Sequence, residues 1–167
     1  EARIALGWLE LRRGATAQGL QAFQVLDAQY AEDGRVVLGL AHAFAQDGRL
    51  AQASAALTRA AALLPRAADV LALRATLARL ENDGAAAIEA AQSALLVDPA
   101  SPEAHAEMGR VRLARGEYSA ARTEIETALR RRPADWRVML SAVRLSVAER
   151  VFDEATDRLV QAERAGA

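Results

Sequence analysis

Cysteine is missing from the 167-residue chain, which excludes disulfides, thiol catalysis and thiolate metal sites together. Histidine is nearly missing as well. The two that occur, His42 and His105, stand almost two repeats apart, too far for a shared metal pair or a base and its partner. There is no glycine-rich phosphate loop, no His-x-x-x-His pair and no Gly-x-Ser-x-Gly elbow. The adjacent acids Glu124 and Glu126, or Asp153 and Glu154, fall on helical faces expected to be solvated. No catalytic residue, metal site or cofactor is therefore expected. No apolar run reaches 18 residues and no charged-then-apolar leader opens the chain, so this stretch has no segment for direct membrane insertion. A net charge of −1 removes the electrostatic footprint of a nucleic-acid binder. Lysine is absent, and the 21 basic residues are all arginine, a bias expected of a GC-rich bacterial genome.

Aromatic residues make up only 4% of the chain, although 52% of it is hydrophobic. A core poor in large side chains and rich in alanine must be made by close approach of helices. The stretch from Pro102 to Pro133 contains two helical patterns joined at Gly116. In the first, Ala104, Met108, Gly109 and Val111 recur at a spacing of three to four. In the second, Ala121, Ile125, Ala128 and Leu129 do the same. Gly116 suits a left-handed turn and Pro133 cannot continue a helix, so this unit is a helical hairpin.

Shifting by 34 residues preserves the pattern without insertion or deletion. The turn position reads Gly14, Gly48, Asn82, Gly116 and Arg150. A small-residue position reads Gly19, Ala53, Ala87, Ala121 and Ala155, and the closing position reads Ala31, Pro65, Pro99, Pro133 and Ala167. A fixed period of this length marks a stacked helical solenoid. Repeats are expected at about 1–33, 34–67, 68–101, 102–135 and 136–167, forming one domain over 1–167. Asp33, Asp69 and Ser101 or Pro102 are the expected helix starters. The chain opens in the second place of a repeat, and an excised fragment is the expectation.

The period resembles the tetratricopeptide repeat. So do the pairs Leu6-Gly7 and Met108-Gly109, the Gly48-Arg49-Leu50 and Gly116-Glu117-Tyr118 turns, and the close at Ala128 to Pro133. Arg112, Gly84 and Arg150 depart from that family's pattern. The resemblance implies an all-α, right-handed superhelical solenoid of five helix-turn-helix repeats, with the first helices lining a concave groove. Carried onto this chain, the groove positions make Ile4, Trp8, Leu11, Leu38 and His42 an apolar N-terminal half. Arg79, Arg110, Arg137 and Arg144 make a basic C-terminal half. Two readings stay open for these residues. In one, a peptide anchors an apolar side chain near Trp8 and Leu38 and an acid at Arg110 and Arg144. In the other, Trp8 only packs, and the arginines pair internally with Glu107 or Asp69. The chaperone-binding clamp of the family would need lysine or asparagine where Ile4 and Trp8 stand, so that docking mode is not expected.

The function implied is a non-catalytic scaffold for a protein or peptide partner. Its expected setting is a bacterial envelope assembly such as polysaccharide export, pilus or secretion machinery, with the periplasm favoured over the cytoplasm. The alternative is a regulatory or substrate-recruiting arm of a larger enzyme such as a glycosyl- or sulfo-transferase. A third reading is a homo-oligomer formed through exposed repeat ends at Ile4 and Leu159.

Overall fold

The computed structural model describes residues 1–166, and the final position of the expected fifth repeat, Ala167, lies outside them. Ten helices follow one another: α1 (Ala2–Arg12), α2 (Thr16–Gln29), α3 (Gly34–Gln46), α4 (Leu50–Leu63), α5 (Ala68–Leu80), α6 (Gly84–Val97), α7 (Pro102–Ala114), α8 (Tyr118–Arg131), α9 (Trp136–Ala148) and α10 (Phe152–Gly166). No strand occurs among the described residues, so the chain is an all-α helical repeat. None of these helices is long and apolar enough to cross a membrane.

The turn inside each repeat explains the period. Gly14, Gly48 and Gly116 take positive φ, and so do Asn82 at 63° and Arg150 at 62°. The next N–H then bonds back five residues, from Ala15 to Glu10 O, Arg49 to Phe44 O, Asp83 to Ala78 O, Glu117 to Arg112 O and Val151 to Ser146 O. Each turn is thus the same Schellman-type stop, repeated at steps of 34 residues. Arg150 and Gly84 do not disturb the pattern. Arg150 makes the same turn hydrogen bonds in a conformation that glycine would enter more cheaply, and Asp83 caps α6 at Gly84 by accepting from Ala86 N at 2.9 Å.

Between repeats, Asp33, Ser101 and Asp135 cap α3, α7 and α9 through their side chains. Asp69 differs from the expectation: Ala67 is the cap residue of α5, and Asp69 lies one position inside the first turn. There its charge still complements the helix dipole.

The odd-numbered helices pack against their odd-numbered successors, whereas the backbones of the even-numbered helices pack only against odd ones. The odd helices therefore form the crowded inner layer, and the even helices spread on the outside. The core between the layers is made of small residues, with Ala53, Ala87 and Ala121 fully buried. Its largest fully buried side chain, Phe23, is wedged between Gly7 of α1 and Gly39 of α3. A Cβ at position 39 would sit 2.1 Å from the Phe23 ring.

Ion pairs tie one outer helix to the next repeat. Arg59 meets Asp27 at 2.9 Å, and Arg122 bridges to Glu149 and to Glu154 at 3.0 Å. The arginines Arg122 and Arg158 hold the Glu154 carboxyl down at about 2.

Two substitutions test this account. Gly39→Ala should destabilise the protein by about 1–3 kcal/mol, because Phe23 cannot give way inside a packed core. Arg150→Gly should stabilise it by about 1 kcal/mol, through relief of the left-handed strain. Both changes are measurable as shifts in the midpoint of urea unfolding.

Candidate functional site

The inner helices curve around a cavity of about 490 Å³, within the range of ligand and peptide pockets. One face of each odd helix contributes, because residues 34 apart point to the same side. Trp8, His42, Thr76, Arg110 and Arg144 follow one another around the wall. Trp8 does not stand free at the end of the array. It packs edge-on against Phe23, with ring centroids 5.4 Å apart, and against His42 at 5.0 Å. Burial and the nearby Arg137 guanidinium push the His42 imidazole down to about 4. His42 is thus a neutral wall residue at pH 7.

Seven of the nine residues expected in the groove line this cavity: Trp8, Leu11, His42, Arg79, Arg110, Arg137 and Arg144. Ile4 and Leu38 do not. Leu38 is 5% exposed and lies in the core, and Ile4 packs against that same cluster, because α1 and α3 turn these positions toward each other and toward the outer helices. Leu11 reaches the cavity but is only 1% exposed, so it supports the wall without offering much surface.

The basic half is largely engaged from within. Glu107 is 3% exposed and sits between two guanidinium groups. Arg79 Nε donates to its Oε2 at 2.7 Å, Arg110 Nη1 donates to its Oε1, and Arg110 Nε donates to Ser141 Oγ at 3.0 Å. Burial opposes ionisation of Glu107, but Arg110 and Arg79 outweigh it and hold the carboxyl below its ordinary range. Elsewhere on the wall, burial pushes the Glu103 carboxyl up, and its partner Arg132 only partly offsets this. The pairing of Arg79 and Arg110 with Glu107 is legible from sequence as an alternative; the depth of its burial is not.

Arg137 is engaged differently. Its Nη2 donates to Leu11 O at 2.7 Å and to Gln46 Oε1 at 2.8 Å, and its guanidinium lies 5.0 Å from the Trp136 ring centroid. The Trp136 indole Nε1 donates to Arg12 O at 3.0 Å. Asp135 holds both residues in place by accepting from Arg137 N at 3.1 Å at the start of α9. Sequence reasoning missed Trp136 and Gln46, since neither recurs at its position in the other repeats. A tryptophan opening a helix beside an arginine was the one available signal.

Arg144 is exposed, lines the cavity and takes part in no ion pair among the described residues. Six arginines and four carboxylates line the wall, so the cavity is positive in a chain whose net charge is −1. The other histidine, His105, lies away from this wall, with Nδ1 2.7 Å from Glu124 and Nε2 3.1 Å from Pro99 O. Among the described residues no group of His, Asp and Glu side chains could hold a metal ion.

The depressed His42 predicts a pH dependence. The unfolded imidazole takes up a proton near pH 6.5 and the folded one near 4, so stability should fall as pH drops through that window, by on the order of 2 kcal/mol. Urea unfolding at pH 7.5 and 4.5 should show a smaller loss in His42→Gln than in the wild type.

Residues 78–144 match the family model described as tetratricopeptide repeat. No curated protein matches the chain in sequence. Among solved structures, the thermophilic TPR protein TTC0263 of Thermus thermophilus is 18% identical with a TM-score of 0.80, covering 98% of this chain and 90% of that one. A chain of the APC/C hetero-tetramer Cut9–Hcn1 is 20% identical with a TM-score of 0.79, covering 98% of this chain and 33% of that one. PilF of Pseudomonas aeruginosa is 21% identical with a TM-score of 0.65, covering 99% and 76%. The 34-residue period, the five repeated turns and these likenesses make the fold a helical solenoid of the tetratricopeptide-repeat type, with residues 78–144 matching that family's model.

Proposed function

We propose that residues 1–167 act as one non-catalytic scaffold domain that binds a protein partner in the concave cavity. The observation that carries this reading is the pairing of the unengaged Arg144 with the aromatic wall at Trp8 in one positive cavity. Such a wall suits a segment with an acidic group beside an apolar side chain, since guanidinium forks match carboxylates and tryptophan supplies contact area. Arg79 and Arg110 shape the wall and contribute little new attraction, because Glu107 already neutralises part of their charge. Tetratricopeptide repeats are generally non-catalytic, and one neighbour in fold comes from a hetero-tetramer, which supports recognition over bond chemistry. The setting we infer is a multi-protein assembly of a bacterial envelope, a reading that the lysine-free composition supports as to source.

A specific observation favours self-association as a second reading. Phe23, Leu57, Ala91 and Ile125 are all buried under the following repeat, whereas Leu159, at the same position of the fifth repeat, is 41% exposed. Leu6 and Leu9, 54% and 36% exposed, offer an apolar face at the other end.

For the cavity, a displayed library of acidic peptides should yield binders whose affinity falls by about tenfold or more in Arg144→Glu and in Trp8→Ala. Equal binding by both variants would place the partner elsewhere. For the ends, sedimentation across concentration should show association that Leu159→Glu abolishes; a monomer at all concentrations would remove this reading.

A further inference from the structure

The contact between α9 and α1 stands apart from every other one in the molecule. All packed helix pairs belong to one repeat or to adjacent repeats. Repeat five is joined across the cavity mouth by side chains instead: to repeat one by the Trp136 indole on Arg12 O and the Arg137 guanidinium on Leu11 O, and to repeat two by the same guanidinium on Gln46 Oε1. The two carbonyls belong to the last turn of α1, where backbone acceptors carry partial negative charge; Leu11 O also accepts from Gly14 N of the turn at 3.2 Å. The bridge is made from groups 91 to 126 residues apart in sequence and closes the curve of the array on itself.

A solenoid is held together repeat by repeat, so loss of such a bridge leaves each repeat folded. Small rotations at four successive interfaces add up at the mouth, and the bridge is the only described contact that resists their sum. Its acceptors are neutral. A carboxylate offered to the same guanidinium would form a charge-assisted pair, roughly twice as strong as a bond to a neutral carbonyl. Arg144, one helical turn and three residues further along α9, faces the same cavity and would draw that carboxylate in.

We propose that Trp136 and Arg137 form a latch that keeps the superhelix closed over its cavity, and that an acidic segment of a partner releases it by capturing Arg137. The releasing role rests on the cavity being the partner site; the latch itself does not. The closed and open states differ in curvature and not in secondary structure. A partner that binds the open state better shifts the population toward it in proportion to that preference.

The lack of cysteine allows clean labelling. Spin labels at Gln18→Cys and Asp157→Cys, both exposed and outside the bridge, report the distance between the first and last repeats. The otherwise unaltered chain should give one narrow distance. Trp136→Phe combined with Arg137→Gln should add a second distance population, with the ratio of open to closed rising on the order of tenfold, as expected for loss of a charge-assisted hydrogen bond. Helical circular dichroism should stay the same, which separates opening from unfolding. Hexaglutamate, used as the anionic probe, should shift the unaltered latch the same way and should lose that effect in Arg144→Glu. An unchanged distance in the folded double variant would overturn the latch, whatever the probe does. Opening in the double variant with no response to a hexaglutamate that binds would keep the latch and overturn its release by an acid. Absence of hexaglutamate binding would count against the cavity reading alone.

Discussion

The two helices of every repeat meet at a residue with at most one side-chain carbon: Gly19, Ala53, Ala87, Ala121 and Ala155, all buried. At Gly19 even that carbon has no room, since a Cβ would lie 2.4 Å from Leu11. This close approach lets a chain with 4% aromatic residues fill its interior. It also sets the thickness of each hairpin, and so the angle at which the next one is added. Curvature, and with it the cavity, follows from the small residues at these crossings together with the crowding of the odd helices.

Inside the cavity the energetics depend on how buried charge is met. Burial makes a charged Glu107 costly alone, but its two arginines outweigh that cost and make the ionised form the favoured one. Removing one member of such a cluster generally costs more than the cluster contributes, because the remaining charges stay buried without partners. Toward the rest of the wall the same residue type meets different partners: Arg144 is exposed, and Arg137 is tied to the neutral acceptors Leu11 O and Gln46 Oε1.

Much of the fold was legible because it repeats. The turn at Gly14, Gly48 and Gly116 has a backbone reason that is visible in the residue, and the small position at 19, 53, 87, 121 and 155 has a packing reason that is equally visible. Helix ends came within about one residue of their observed places, since Asp33, Ser101 and Pro102 carry their capping chemistry with them. Arg150 shows where residue type is a weaker guide: the same stop forms there, at φ 62° and with Val151 N on Ser146 O, without the glycine that favours it elsewhere. The site was legible in part. Positions 34 apart do share a wall, but Ile4 and Leu38 turn into the core, and which arginines remain unengaged depends on distances between helices.

By itself, the sequence determined the repeat length, the helix-turn-helix unit, the close-packed alanine core and the lack of thiol or histidine-pair chemistry. These follow from local rules: helix periodicity, caps, the left-handed turn and the residue inventory act over a few residues and recur five times. The tertiary structure alone decided that the array curves far enough for α9 to reach α1, that Trp136 and Arg137 close the mouth there, and that Glu107 takes up Arg79 and Arg110. Curvature is the sum of small rotations at successive interfaces, and a sum over four packed interfaces is written in no single residue or motif.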